Sequence, residues 1–492
     1  MRGCRPIHLI KTPLHFYFYE VNKNVLVRIE ERLYDYLKHV LSDSQGSLQS
    51  NPEMEEKMDQ LKKQGYLSAD RPLKIEHPYL KSLSYHLSHN VAQMTLQLTQ
   101  NCNFRCAYCV YGGSDLGTQR GHSSKRMDLE TAYACIDFFR EHSRDQEMVC
   151  IGFYGGEPLL ELATIKKLIP YAKKSFEGKK LTFTITTNGS LLTKEVAKYL
   201  YDHDVSIVVS LDGPKEIQDR SRRFAADGRG TFETVRKNLE EIQREYPEVY
   251  QGLIVNTVVD PRNQVELIHN LFNHDPLFRD LSAHTSMVGT DYSIEQVAIT
   301  DKFTIGENKE QFKAYMSLLG RYPKQKVSRL TVSSIMTQMD LFLKDMGKIR
   351  IFPTMAPGGP CIPGQKRLFV ASDGTFFPCE RVSETSQAMK IGDIKTGFDL
   401  QAAEKLLNIG TLTQEECKDC WAIANCMICA RQCDNGGELS KEFKRSHCRD
   451  TKRQVHDNLL NYLLLRELQE EMHERERSGG GECVQKGCSI SV

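Results

Sequence analysis

The run Cys102-Asn103-Phe104-Arg105-Cys106-Ala107-Tyr108-Cys109 decides how this chain is read. Its spacing is C-x3-C-x2-C, and a short apolar, strand-like stretch over residues 94–98 leads into it. Three thiolates this closely spaced can cap three irons of a cubane iron–sulfur cluster, which ordinarily takes a fourth protein ligand. Leaving that ligand out exposes one iron to a group that is not protein. Buried apolar cysteines are a poor alternative, since three so close together rarely occur without a metal. A zinc site with its fourth ligand elsewhere is the better rival. A second signature, Gly155-Gly156-Glu157-Pro158, follows a strand pattern over residues 149–153.

The rest of the chain bounds that reading. At 492 residues it is too long for one ordinary domain. Lys+Arg 65 against Asp+Glu 64 leaves almost no net charge, which argues against a broad nucleic-acid footprint. Residues 1–5 carry no charged-apolar-small leader pattern, and no stretch approaches the roughly 20 apolar residues of a membrane span. The 16 cysteines then read as metal ligands in a reducing cytoplasm, with no membrane and no nucleic acid as partners.

Residues 1–85 read as a separate unit: strands over 7–10, 16–20 and 25–29, a turn at Asn22-Lys23-Asn24, a helix through Tyr34, Leu37 and Val40, and a second helix over 53–63 ending at Gly65. Residues 91–310 alternate strand and helix, with strands at 93–98, 149–153, 181–186, 205–210 and 253–258. One helix begins at Asp128, with Leu129, Ala132, Tyr133 and Ile136 on one face. Repeated β–α units mean a parallel sheet. GGEP, Thr187-Asn188-Gly189 and Ser210-Leu211-Asp212-Gly213 each follow a strand, so all fall at the C-terminal ends, the catalytic face of such folds. Residues 311–348 read as bridging helices and 349–455 as a cysteine-rich module. Residues 456–492 complete a last helix, which starts at 451, and a glycine-led flexible tail that includes Cys483 and Cys488. Cys135 and Cys150 read as core, and Cys4 has no readable role.

The cysteine run and GGEP together resemble the radical S-adenosylmethionine (SAM) enzymes, whose fold is α/β with a partial (β/α)6 barrel. In that family SAM chelates the open iron of a [4Fe-4S] cluster, and its reductive cleavage gives a 5′-deoxyadenosyl radical. The resemblance makes Cys102, Cys106 and Cys109 the cluster ligands and sets Tyr108 beside the cluster and the adenine. It assigns Gly155 and Gly156 to close backbone approach, with the strand end hydrogen-bonding the SAM amino group and Glu157 nearby. Ser210 and Arg222 match the pair that contacts the ribose and the SAM carboxylate, the planar Arg fork suiting a carboxylate. Arg223 is an equally placed rival. Asn188 also matches, although Asn-Gly is a common turn.

The C-terminal module resembles the SPASM domain of peptide-modifying radical SAM enzymes. Cys361, Gly374 and Cys379 fit its opening, Cys417, Cys420 and Cys426 its middle, and Cys448 its end. The chain departs from the pattern at Ala430, which Cys429 and Cys433 flank. The resemblance gives a distal cluster to Cys417, Cys420, Cys426 and Cys448 and a nearer one to Cys361, Cys379, Cys429 and Cys433, hence three [4Fe-4S] clusters. Either Cys429 or Cys433 could be a spare, and a zinc ribbon is the rival reading. Glu380 stands where sulfatase-maturing relatives carry a carboxylate base, against the plainer reading of a surface ion pair.

The N-terminal unit resembles the winged-helix-like peptide-recognition element of maturases, in which an edge strand pairs with a precursor's leader. A cap on the barrel is the alternative. Taken whole, the chain resembles radical SAM/SPASM peptide maturases, in particular sactipeptide synthases of the ruminococcin C maturase type. The implied activity is thioether crosslinking, sulfur to Cα, in a ribosomal precursor peptide with a leader and a Cys-rich core. An external electron donor of flavodoxin or ferredoxin type is implied as well. Other outcomes for the same architecture are Cβ or Cγ thioethers, carbon–carbon crosslinks and formylglycine formation. From a different class, a noncatalytic iron–sulfur peptide carrier has no use for a SAM pocket.

Overall fold

Alternation along the strands gives the central sheet two unlike faces. In this computed structural model, which describes residues 7–42, 51–68, 70–113, 119–289, 291–293, 297–343, 346–348, 350–358 and 361–478, the sheet runs in the order Ser282–Met287, Ile254–Val259, Val205–Ser210, Lys180–Thr187, Met148–Gly155, Gln93–Thr99, Leu368–Val370, Phe376–Phe377. The strands from Gln93–Thr99 to Ser282–Met287 are parallel and follow chain order. Parallel neighbours need crossovers, here through Leu129–His142, Leu162–Ser175, Lys194–Asp202, Phe232–Glu245 and Val265–His274. Crossovers of one hand, always stepping the same way, stack their helices on one face. Met94, Leu96, Leu98, Ile151, Phe153, Ile185, Ile207 and Val255 point into that helical layer and form the main core with Ile136, Phe139, Leu168 and Leu239. The residues between them, Thr95, Gln97, Gly152, Tyr154, Thr184, Thr186 and Ser210, form a second face that is largely polar.

All five strands read from residues 91–310 are present, each within two residues of its expected ends. Ser282–Met287 was not foreseen. It is an edge strand exposed along most of its length, so burial imposed no apolar alternation on it.

At the N-terminus Ile7–Lys11, Phe16–Glu20 and Val25–Ile29 make an antiparallel sheet in chain order. Glu31–Ser42 and Pro52–Lys63 pack on one side through Leu33, Leu37, Met54 and Met58 against Phe18. The Asn51 side chain caps the second of these helices at Met54 N. The other side buries Ile10, Tyr17, Tyr19 and Val21 against Ile423, Val455, Leu459 and Leu463 of the C-terminal region.

The cysteine-rich segment joins the main sheet directly. Leu368–Val370 pairs parallel with Gln93–Thr99, and the chain returns as Phe376–Phe377 past Gly374, whose φ of +85° suits glycine. Asp301–Leu318 and Arg329–Leu343 precede it. The last helix is Lys441–Ser478, starting ten residues before its expected start, so Cys448 is helical. Ser440 explains the early start, its hydroxyl accepting from Phe443 N at 3.1 Å as a cap. No helix among the described residues is long and apolar enough to cross a membrane. Cys4, Cys483, Cys488 and the tail from 479 onward lie outside the described residues.

Candidate functional site

The cysteine run leaves the end of the Gln93–Thr99 strand and is pinned by backbone on both sides. Phe104–Cys106 pairs antiparallel with Arg222–Phe224, so Cys106 sits opposite Arg222. Ala107 N donates to Ser221 O at 2.8 Å and Ala225 N to Asn103 O at 2.8 Å. Three N–H groups point at sulfur: Phe104 N to Cys102 at 3.3 Å, Tyr111 N to Cys109 at 3.4 Å and Asn188 Nδ2 to Cys102 at 3.8 Å. Burial pushes the Cys102 and Cys106 thiols up to about 12 and raises Cys109, the proximity of the other cysteines adding to the effect at Cys102 and Cys106. A trio of neutral thiols, Cys102 buried and Cys106 and Cys109 half-buried, becomes a favourable set of thiolates when a cationic metal centre neutralises it. Directed N–H groups to the sulfurs are the second part of such a site. The donor set therefore fits an iron–sulfur cluster with three protein ligands. Among the described residues no three His, Cys, Asp or Glu side chains converge on a single metal ion. A cubane does not require that convergence, each thiolate binding its own iron.

Half-buried Tyr108 and buried Asp212 and Arg222 form one assembly behind the loop. The Arg222 fork is bidentate on Asp212, at 2.9 Å from Nε and 3.0 Å from Nη2. Asp212 also accepts from the Tyr108 hydroxyl and from Val258 N at 3.2 Å. The guanidinium carbon of Arg222 stands 5.5 Å from the centre of the Tyr108 ring. Arg222, rather than Arg223, faces the cysteines; Arg223 points outward and bonds Gly228 O. The resemblance gives the Arg222 fork to a SAM carboxylate, whereas in this structure Asp212 occupies it. Asp212 was quoted within SLDG but not recognised as a site residue. Ser210 lies on the polar face in register with Asn256.

Gly155 and Gly156 are glycines for a reason the sequence reading did not supply. A Cβ at Gly155 would stand 2.3 Å from Thr99 O, and one at Gly156 2.2 Å from Asn101 O. Their close approach is thus to the backbone leading into the cysteine loop, and Gly156 N donates to Thr99 O at 2.8 Å. Gly155 adds a φ of +149°, which other residues rarely adopt. Glu157 likewise turns inward. Its carboxylate accepts from Leu159 N, the Thr187 hydroxyl and Asn188 N, at 3.0, 2.8 and 2.7 Å. Complete burial raises its pKa to about 7 against those bonds. Glu157 so ties GGEP to Thr187-Asn188-Gly189, and Asn188 passes the connection on to Cys102.

A second polar assembly, unforeseen, lies on the polar face. Arg120 pairs with Glu384 at 2.8 Å, both nearly inaccessible. Glu384 also accepts from Gln97 and Gln100, and Arg120 Nη2 holds the carbonyls of Glu380 and Val382 at 2.9 Å each. Gln97 gave the one available signal, a polar residue at an inward position of an otherwise buried strand. A cavity of about 430 Å³ opens beside Gln100, Arg120, His122 and Glu384. Glu380 itself pairs through Oε1 with Arg367, while its Oε2 is buried without a partner.

The C-terminal cysteines fall into neighbouring sets. Cys417, Cys420, Cys426 and Cys448 lie within one another's electrostatic reach, and Cys379 lies near Cys429. Cys433 is fully buried and close to Cys426, Cys429 and Cys448, whereas Cys361 is exposed.

Comparison with known proteins places this geometry. Residues 96–271 match the Radical SAM superfamily, and the chain carries a radical SAM domain there. It is 25% identical over 233 residues to the radical SAM cyclopropyl synthase TigE of Paramaledivibacter caminithermalis, covering 44% of this chain and 48% of that protein. It is 24% identical over 372 residues to a cysteine-type anaerobic sulfatase-maturating enzyme of Clostridium perfringens, covering 72% and 92%. The fold is similar to that of native anSMEcpe solved with bound AdoMet and a peptide, at a TM-score of 0.54 and 20% identity, over 76% of this chain and 99% of that one. The chain thus carries a radical SAM domain over those residues and is similar along much of its length to radical SAM maturases.

Proposed function

We propose that this chain is a peptide maturase that installs thioether crosslinks, sulfur to Cα, from cysteines of a ribosomally made precursor. The observation that carries the reading is the cysteine-rich module docked on the first strand of the radical SAM sheet. Its cysteines gather into further sets beyond Cys102, Cys106 and Cys109. An enzyme that only cleaves SAM needs one cluster; further clusters suit a product whose formation releases an electron. The reading has three [4Fe-4S] clusters, SAM, an external flavodoxin- or ferredoxin-type donor and a reducing cytoplasm.

The bound cluster and SAM supply a radical able to take hydrogen from unactivated carbon. The chain supplies position. Cys102, Cys106 and Cys109 are held by amides at two of the three sulfurs and by strand pairing at the third, and the Asp212–Arg222 pair fixes Tyr108 behind them. Thr184 and Thr186, half-buried on the polar face, offer polar groups along which a peptide backbone can be oriented. Glu380, with Oε2 unpartnered, is the carboxylate available for a substrate proton. On the N-terminal sheet, Val25–Ile29 pairs on one side only among the described residues, leaving an edge for a leader strand.

The test is anaerobic incubation of the reconstituted full chain with SAM, reductant and a cysteine-rich precursor peptide that carries its leader. The expected product has lost about two mass units per crosslink and has fewer alkylatable thiols. A product joined carbon to carbon with all thiols still alkylatable refutes the thioether. An aldehyde in place of one cysteine favours formylglycine formation, the second reading, which the match over 92% of the sulfatase-maturating relative supports. Absence of 5′-deoxyadenosine refutes radical chemistry altogether.

A further inference from the structure

Lys444 is buried where lysine is rarely found. It lies in the first turn of Lys441–Ser478 and is 1% exposed. Lysine is almost never fully buried unless paired, because an ammonium out of water loses its hydration. Its Nζ donates to Ile409 O at 2.9 Å, to the Thr413 hydroxyl at 2.6 Å and to the Cys417 sulfur at 3.9 Å. Those three acceptors are formally uncharged, and among the described residues no carboxylate pairs with this nitrogen. The less buried cations nearby are different: Lys441 and Arg445 share Glu416, and Lys418 has Glu415. Lys452, half-buried on the same helix, also acts on Cys420 and Cys448. Lys444 is the buried one of these charges, and among the described residues it has no counter-ion.

What surrounds it is sulfur. Burial raises the thiols of Cys426, Cys433 and Cys448, and the Lys444 charge opposes that rise in each. Cys417 receives the third hydrogen of the ammonium and a contact from Thr413 Oγ1 at 3.3 Å. A single neutral thiol would not offset the desolvation of an ammonium; a cluster ligated by four thiolates, which is anionic overall, would.

We propose that Lys444 is the built-in counter-cation of an iron–sulfur cluster held by Cys417, Cys420, Cys426 and Cys448, and that its charge raises that cluster's reduction potential. The inference rests on the auxiliary-cluster reading given above. Taking up one electron makes such a cluster more negative by one charge. A fixed cation in a low-dielectric surrounding favours the more negative state. A hydrogen bond to a ligating sulfur acts in the same direction, being one of the levers that set these potentials. Lysine suits the role as a compact point charge whose three hydrogens can divide between the protein and the sulfur.

The experiment uses the full chain, reconstituted anaerobically, with Cys102, Cys106 and Cys109 replaced by Ala so that only auxiliary clusters are read. Lys444→Met removes the charge and keeps the volume; Lys444→Arg keeps the charge. Iron content is measured first, then midpoint potentials by redox titration followed by electron paramagnetic resonance. The expected result is an iron-replete K444M in which one cluster's reduced fraction at fixed potential falls at least tenfold, about 59 mV for one electron, while K444R stays near the parent. Loss of about four irons by K444M with retention by K444R also supports the proposal, since the cluster is then not held without the cation. Unchanged potentials in iron-replete K444M overturn it. So does equal iron loss in both variants, which makes Lys444 a packing residue. A parent with no auxiliary iron overturns the cluster reading, and this inference with it.

Discussion

Around Cys102, Cys106 and Cys109 every buried cation faces a buried carboxylate: Arg222 faces Asp212, and Arg120 faces Glu384. Around Cys417, Cys420, Cys426 and Cys448 the buried cation is Lys444, and among the described residues no carboxylate pairs with it. The first arrangement cancels charge and spends its hydrogen bonds on geometry, fixing Tyr108 and the loop. The second leaves one positive charge for whatever the sulfurs bind. On the proposed reading, a centre that would deliver an electron to SAM gains from a field near zero, because added positive charge would make its reduced state too stable to react, and one that would accept an electron gains from the reverse. The two sites then differ in where the counter-ion is: the protein at the first, the proposed cluster at the second.

The largest effects separate the two centres outright. Replacing Cys102, Cys106 and Cys109 with Ala removes about four irons and abolishes SAM cleavage, measured as 5′-deoxyadenosine. Replacing Cys417, Cys420, Cys426 and Cys448 removes a similar amount and leaves SAM cleavage detectable. If the first variant still cleaved SAM, the two sites would have exchanged roles and the comparison would collapse.

Next in size is the charge balance of the first centre. Asp212→Ala strands Arg222 as an uncompensated buried cation, a change that costs about 3–5 kcal/mol. Denaturant unfolding of the iron-free chain measures it. Adding Arg222→Met removes the stranded charge, so the double variant recovers more than half of the loss. A double variant no better than the single one would mean that Asp212 acts through Tyr108 and Val258 and not as a counter-ion.

Glu157 gives the first centre a pH signature. Burial raises its pKa from 4.5 to about 7. Between those values the folded chain keeps a proton that the unfolded chain has released. Stability from this group is therefore fully present below about pH 4.5 and lost as pH rises to about 7, a change of about 3 kcal/mol. Glu157→Gln removes that slope, read from unfolding free energies across the range. A slope unchanged in the variant would assign it to another group.

C-x3-C-x2-C and GGEP were legible in the sequence as motifs because each is local, its spacing set by the reach of one loop, and a loop's reach is written in residue count. The longer strands were legible through alternation except Ser282–Met287, where exposure relaxes it, while Leu368–Val370 and Phe376–Phe377 are too short to show a period and were not read. The counter-ions were not legible. Gln97, Arg120 and Glu384 come from three distant segments, and nothing in any of them names the others. Lys444 sits in Lys441-Glu442-Phe443-Lys444-Arg445, a charged run ahead of the expected helix in which nothing marks one charge as buried. Gly155 and Gly156 were identified as requiring glycine, but the group approaching them is a carbonyl of the same chain.

The smallest effect lies at the outer side of the second centre, where the N-terminal sheet meets it. His8 stacks on Trp421, the chain's one tryptophan and the neighbour of Cys420, with ring centres 3.6 Å apart and planes 5° from parallel. His8 Nε2 also hydrogen-bonds His456 Nδ1 at 2.8 Å. Losing the stack in His8→Ala costs about 1 kcal/mol at pH 7.5. The pH dependence has the sign opposite to that of Glu157. Burial, then the nearby His456, lowers the His8 pKa from 6.5 to about 4. The unfolded chain binds the proton first, so stability from neutral His8 is present above about pH 6.5 and drains away as pH falls toward 4. The deficit of His8→Ala therefore shrinks below pH 6.5 and reverses before pH 4, because the parent alone must hold a buried histidine uncharged. Unfolding curves of parent and variant at pH 7.5, 6 and 5 test this. A deficit constant across the three would show that His8 contributes packing only and that no titrating contact joins the N-terminal sheet to the second centre.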